Sequence, residues 1–351
     1  MQVLNRGGSN PANAAARSKA RRAKLIDDSR MRQLVQMTPE QLVTTIADGG
    51  YRDEIDMYSG RLSGADLIEV ALNHNLSREL SEVLKFSQGV MKTHVKVYTN
   101  RFSFQNAKIV LRSVANGVSA DAVSKTILPE ENQFNTDWLA IVRNSSTLQS
   151  AAEAMARTPW GKALSNSEDA SLQDMEDSLD RAYFSEALSA TQMQTASSVT
   201  LRRFLQTEID HLNITNILRG LREGMSNDRR AEMLLPGGRL WKGPRLRQAA
   251  AVEDHGGLVD LLRRSSHFDV AGFEEALSAT EGSGTLDAAI TWLSHRLDAY
   301  LRRMSFLHPL SALPIIHYIA SKAQEVSDLL LIVRGLSAGL DREMIEDHLS
   351  I

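Results

Sequence analysis

Apolar residues recur with a helical period along most of this chain, and no alternating strand pattern of useful length interrupts them. Three segments carry one pattern in one register. Each starts at Asn or Asp (Asn106, Asn213, Asp328), has Arg six places on (Arg112, Arg219, Arg334) and Gly five places after that (Gly117, Gly224, Gly339). Offsets +1, +4, +5, +8 and +12 are apolar in all three. They are Ala107, Val110, Leu111, Val114 and Val118; Ile214, Ile217, Leu218, Leu221 and Met225; and Leu329, Ile332, Val333, Leu336 and Leu340. This spacing predicts one buried face of a helix in each segment.

The ends of the segments agree. A glycine closes a helix where a left-handed residue is needed and a Cβ would clash. Two residues later stands Ser119, Ser226 or Asp341, a residue type that caps the next helix. Asp121, Asp228 or Glu343 then faces the dipole of its first turn. Each unit therefore reads as helix, tight turn, helix. Upstream, Leu72, Leu179 and Leu293 sit in amphipathic stretches (Ala65–Leu84, Leu172–Leu188, Leu286–Met304), 34, 34 and 35 residues before the signature position. Repeat spacings of 107 and 115 residues divide the chain into a flexible tail over 1–12 and helical units over 13–125, 126–235 and 236–351. Breaks are expected at Pro129-Glu130-Glu131-Asn132, Thr158-Pro159-Trp160-Gly161 and Leu235-Pro236-Gly237-Gly238, with loops at Gly256-Gly257 and Gly282-Ser283-Gly284.

Composition narrows the function. The 351 residues contain no cysteine, which excludes disulfides, thiolate metal sites and a cysteine nucleophile. Lys+Arg 40 against Asp+Glu 43 gives a net charge of −3, so wholesale nucleic-acid binding is not expected. The aliphatic run Leu329 to Val333 is far short of the roughly 20 residues of a spanning helix, and the first 30 residues have no secretory apolar region. An intracellular soluble protein is the expectation.

Candidate chemistry is sparse. The nine histidines form no HExxH and no i, i+4 pair on a helix. There is no phosphate-cradling GxxxxGK[ST], no GxGxxG after a strand and no GxSxG elbow. No catalytic residue, cofactor or metal site is expected. Two basic stretches stand out. Arg17, Lys19, Arg21, Arg22 and Lys24 lie between alanines at helical spacing and suggest a cationic face for an acidic partner, phospholipid headgroups or nucleic acid, or a plain solvated helix. Arg239, Lys242, Arg245 and Arg247 surround Trp241 and read as a loop, since interleaved aromatics are missing.

These residues carry a resemblance. Ala16-Arg-Ser-Lys-Ala-Arg-Arg-Ala-Lys-Leu25-Ile26 resembles the opening helix of the C subunits of archaeal A-type and bacterial V/A-type rotary ATPases, the counterparts of the d subunit of the vacuolar ATPase. Tyr51 and the helix with Leu72-Asn-His-Asn-Leu76 follow in order. Tyr98, Arg101 and Asn106 with Arg112, then Glu208, Asp210 and Asn213 with Arg219, resemble the family's internal helices. Lys322-Ala-Gln-Glu325 with Arg334-Gly335 resembles its C-terminal helix. Ser103, Ala323 and Leu330 depart from the family's Asp, Glu and Arg. The resemblance implies an all-α fold of three pseudo-equivalent domains, arranged as a funnel around a central cavity. It implies a non-catalytic rotor subunit, present in a single copy, that joins the membrane proteolipid ring to the central stalk and passes torque between ion transport and ATP turnover. It further implies a peripheral position on the cytoplasmic face without membrane insertion. A helical-repeat scaffold, or a nucleic-acid binder using the basic N-terminal helix, are the alternatives that the residues alone leave open.

Overall fold

The computed structural model describes residues 9–129, 136–165, 170–193, 195–265 and 267–349, and among them every regular element is helical. In chain order the helices are α1 (Pro11–Arg22), α2 (Asp28–Val35), α3 (Pro39–Ile46), α4 (Arg52–Tyr58), α5 (Gly64–Phe86), α6 (Gly89–Thr99) and α7 (Arg101–Ala115). Next come α8 (Ala120–Thr126), α9 (Trp138–Asn144), α10 (Leu148–Ala154), α11 (Pro159–Ala163), α12 (Leu172–Ala190) and α13 (Ala196–Arg222). The remainder are α14 (Asn227–Met233), α15 (Pro244–Ala250), α16 (His255–Arg263), α17 (Val270–Ser283), α18 (Asp287–Leu307), α19 (Leu313–Ser337) and α20 (Arg342–Asp347). The all-α class expected from the periodicity is the class observed.

Two compact units make up the chain: Met1–Met175 together with Pro314–Ile351, and Glu176–Leu313. In unit 1, α5 buries Leu67, Ile68, Leu72, Leu76 and Val83. Fully burying each such side chain stabilises by roughly 1.5–3 kcal/mol. Local chemistry sets the short helices. Thr38 and Gln41 form a reciprocal capping box at α3, with Pro39 in its first turn. The chain then kinks at Gly50, whose φ of +103° a residue with a Cβ rarely adopts. Trp138, Trp160 and Phe104 cluster in this unit, with the Trp138 and Phe104 ring centroids 5.2 and 6.1 Å from that of Trp160.

Unit 2 centres on Ile214, Ile217 and Leu218 of α13, which pack among Trp241, Leu258, Leu262, Phe273 and Leu293. Phe268 stands edge-on to Phe273 at 5.5 Å and to Trp292 at 5.8 Å, the geometry aromatic pairs prefer.

Several expectations are revised. Of the tail over 1–12, residues 1–8 lie outside the described residues. Asn10 is not loose: its amide donates to the Phe86 carbonyl (2.7 Å) and its Oδ1 accepts from Gln88 N–H (2.9 Å), and Pro11 opens α1. Thr158-Pro159-Trp160-Gly161 is no linker but the capped start of α11, with Trp160 buried. A Cβ on Gly161 would fall 1.8 Å from the Met155 carbonyl oxygen, so only glycine fits there. Gly256-Gly257 lie in the first turn of α16, capped by Asp254. Gly284 does close α17, with a φ of +70°. The break at 129–132 falls mostly outside the described residues.

Candidate functional site

The three signature segments become α7–α8, α13–α14 and α19–α20. The first and third lie in unit 1, the second in unit 2. Gly117, Gly224 and Gly339 have φ of +64°, +64° and +72°. Around each, the same two bonds close the helix. Val118, Met225 and Leu340 donate their N–H to the carbonyls of Ser113, Gly220 and Gly335 (2.8, 2.9 and 2.9 Å). The glycine N–H groups donate to Val114, Leu221 and Leu336 (3.3, 3.1 and 3.1 Å). This is the Schellman pattern, drawn three times. The side chains of Ser119, Ser226 and Asp341 then cap the second helices. Offsets +1, +4 and +5 are buried in every copy. Offset +12 departs from the expected face, since Val118 and Leu340 are exposed; they stand beyond the left-handed glycine, where the helical register has ended.

The signature polar residues hold segments together. Asn106 donates to the Leu128 carbonyl (2.8 Å) and accepts from Leu128 N–H (3.1 Å). Asn213 does the same to Leu235, at 2.9 and 2.7 Å. In both copies the clamped residue lies 22 positions on. The signal was there to be read: each clamped leucine precedes a proline, Pro129 or Pro236, which supplies no N–H of its own. Asp328, the third member, accepts from Gln324 at 3.0 Å, and the residue 22 places on is outside the described residues. Arg112, Arg219 and Arg334 are all exposed; Arg334 pairs with Glu69.

Three positions before each signature residue the copies diverge. Asp210 is buried and accepts from the N–H groups of Arg239 (2.9 Å) and Leu240 (3.1 Å), fixing the loop that follows Pro236. Burial pushes its carboxyl up to about 6, with the two backbone donors opposing that rise. A Cβ on Gly238 would lie 2.1 Å from Asp210 Oδ1, so the loop needs glycine there. Neighbouring His211 lies edge-on to Phe268 at 6.3 Å, and burial holds its imidazole down at about 4. In the third copy the position is Glu325, also buried. Its Oε1 accepts from Tyr51 Oη–H (2.6 Å) and Lys322 Nζ (2.9 Å), and its Oε2 from Ile26 N–H (2.5 Å). Lys322 also donates to the Tyr51 oxygen at 2.8 Å. Burial and the Glu325 charge raise the Tyr51 phenol well above its ordinary value, so it stays a donor. Tyr51, Lys322 and Glu325, three separate points of the resemblance, are thus one cluster.

The basic N-terminal helix is largely spoken for. Arg21 pairs with Glu79 at 2.5 Å, Glu79 also accepts from Tyr318 Oη–H at 2.6 Å, and Arg22 meets the His317 ring. Arg17 lies 4.6 Å over the Phe86 ring. Lys19 and Lys24 are exposed, so the expected five-residue cationic face is reduced to these two and Arg17. In the stretch 239–247, Trp241 is buried and Pro244 starts α15, so the expected loop extends only as far as Gly243. Among the described residues no group of three His, Asp or Glu could hold a metal ion, and no helix is long and apolar enough to cross a membrane.

What these residues define is an all-helical protein of repeated, glycine-closed hairpins whose buried polar groups fasten one segment to another. A family model described as ATP synthase (C/AC39) subunit matches residues 14–348, and the chain belongs to that family of non-catalytic subunits of the rotary ATP synthase. It is similar to the C subunit of the A-type ATP synthase of Haloquadratum walsbyi, 31% identical over 348 residues that cover 97% of this chain and 98% of the relative. The C subunit of the Haloferax volcanii enzyme is 30% identical, covering 98% and 99% of the two chains. That of Methanococcoides burtonii is 26% identical, covering 98% and 95%.

Proposed function

We propose that this chain is the mechanical link of the rotor: it grips the membrane proteolipid ring, receives the central stalk, and transmits torque between ion translocation and ATP turnover. It would act in a single copy, held at the cytoplasmic face of the membrane through the complex. The observation that carries this reading is the family match over 14–348, with relatives matched end to end and named as the C subunit of A-type ATP synthases. Three pseudo-equivalent domains forming a funnel belong to the same proposal, and three hairpins with one Schellman closure support it. In this reading the Asn, Arg and Gly signature residues are structural. Arg17, Lys19 and Lys24 are the N-terminal cations left to meet an acidic partner.

Reconstitution with and without this protein, measuring ATP hydrolysis and ion transport in the same vesicles, tests the proposal. Hydrolysis by the catalytic head should persist without it while transport disappears. Transport at the normal rate in its absence would refute the torque-carrying role.

A further inference from the structure

One end of unit 2 presents apolar side chains that the proposed function leaves unused. Phe306 is 79% exposed, Leu307 54% and Leu310 62%, all at the C-terminal end of α18 and the turn beyond it. The exposure is not that of a frayed end. His308 N–H donates to the Met304 carbonyl (2.9 Å), Ser311 N–H to the His308 carbonyl (3.0 Å), and the Ser311 hydroxyl accepts from Leu313 N–H (3.2 Å). Leu301 and Ser305 before the tip, and Ser311 and Ala312 after it, are buried. A held turn therefore pushes three large apolar groups into water, an arrangement that marks a contact surface.

The charges around the tip say what it contacts. Arg302 and Arg303 are exposed and carry no ion pair among the described residues, and no acidic residue occurs in the sequence between Arg302 and Leu313. They lie at i−4 from Phe306 and Leu307, on the same faces of the helix and one turn, about 6 Å, farther from the tip. Apolar groups thus lead and guanidinium groups follow at the distance that separates the acyl boundary from the phosphate layer, where interfacial side chains sit some 5–10 Å deep. Three exposed side chains offer far less than the roughly 800 Å² per partner that a stable protein interface buries.

We infer that the Phe306–Leu310 tip inserts into the interfacial layer of an anionic phospholipid membrane, with Arg302 and Arg303 on the lipid phosphates. The chain then lies on the membrane without spanning it, a shallower contact than the insertion that the lack of a long apolar run argues against. An anchor this small binds weakly and reversibly, and gains effect when a second attachment holds the chain near the same surface. The inference does not depend on the rotor reading.

The test uses the full chain with vesicles of phosphatidylcholine, alone or mixed with phosphatidylglycerol. Co-sedimentation is expected with the anionic vesicles only and should weaken with added salt. The Phe306→Ser/Leu307→Ser/Leu310→Ser variant and the Arg302→Gln/Arg303→Gln variant should each bind about tenfold more weakly or worse. All five positions are exposed, so unchanged circular dichroism is expected of both. A Phe306→Trp variant should gain fluorescence quenchable by lipids brominated in the acyl chain. Absence of binding, equal binding by wild type and both variants, or a bound Phe306→Trp that brominated lipid does not quench would each overturn the inference. Protection of that tryptophan by a detergent-solubilised proteolipid ring, but not by vesicles, would make the tip a protein contact and overturn it too.

Discussion

Asp210 in unit 2 and Glu325 in unit 1 occupy the same place in the repeat, three residues before the signature Asn213 and Asp328, yet they are satisfied differently. Asp210 meets two backbone N–H groups from a loop some 30 residues away. Glu325 meets a lysine, a phenol and a backbone N–H, two of them nearly 300 residues away in sequence. One inward acid on a helix face can thus serve as a local loop clamp or as a fastener joining the two ends of the chain. The difference lies in what surrounds it. Paired with a cation it is a buried ion pair, whose loss of one partner is severe. Left to backbone dipoles it keeps the cost of burial, which its raised pKa records.

The largest effect should come from breaking the unit 1 cluster. Lys322→Met leaves Glu325 buried without its cation and should destabilise unit 1 by about 3–5 kcal/mol. Trp138 and Trp160 report on unit 1, Trp241 and Trp292 on unit 2, so single-tryptophan versions in urea separate the two. A Lys322→Met/Glu325→Gln double variant should recover part of the loss. If the double variant is no better than the single, the two residues are not an energetic pair.

Next in size are the paired asparagines. Asn106→Ala and Asn213→Ala each strand a buried leucine N–H and carbonyl and should cost about 2–3 kcal/mol in their own unit. Because the geometry is the same in both, the two losses should agree within about 1 kcal/mol, in line with ordinary context dependence. A loss at one site only would show that the clamps share a form but not a role.

Smaller still are the closing glycines. Gly117, Gly224 and Gly339 have open space where a Cβ would go, so alanine costs only the left-handed backbone, about 1 kcal/mol at each. Thermal unfolding of the three variants should show three similar, modest shifts. A much larger loss at one glycine would point to a contact there beyond the turn.

These contrasts also show how far the sequence could be read. The hairpins were legible because their causes are local: a glycine at the left-handed position, a cap two residues later, and an apolar stripe between. Asn106 and Asn213 were visible as signature positions, but their work has no period to reveal it: a clamp on Leu128 or Leu235 spans 22 residues, and the proline after each leucine is its one local mark. Tyr51 and Glu325 are farther apart still, and only the fold brings them together. Gly256 and Gly257 misled because two glycines favour a loop, whereas the Asp254 cap was enough to start a helix through them. The cationic face shrank because Glu79 and His317, from distant parts of the chain, take up two of its arginines.

The smallest effect in the native chain should be its pH dependence through unit 2, and it sharpens the comparison most. Asp210, at about 6 when folded against 3.8 unfolded, binds more protons in the folded state between those values. Its contribution is fully present below pH 3.8 and is lost as pH rises through 6. His211, at about 4 when folded against 6.5 unfolded, does the reverse: the unfolded chain takes the proton first, so stability falls as pH drops from 6.5 towards 4. Shifts of this size correspond to about 3 kcal/mol each and oppose one another over nearly the same window. The native unit 2 should therefore change little between about pH 7 and about 4.5 on account of these neighbours. Asp210→Asn can still accept from Arg239 and Leu240 but no longer titrates, which leaves the His211 contribution uncompensated. Urea titrations followed by Trp241 and Trp292 should then show about 2–3 kcal/mol of stability lost on acidification that the native chain does not lose. A variant whose acid profile matches the native one would mean that the carboxyl and the imidazole do not offset each other in this unit.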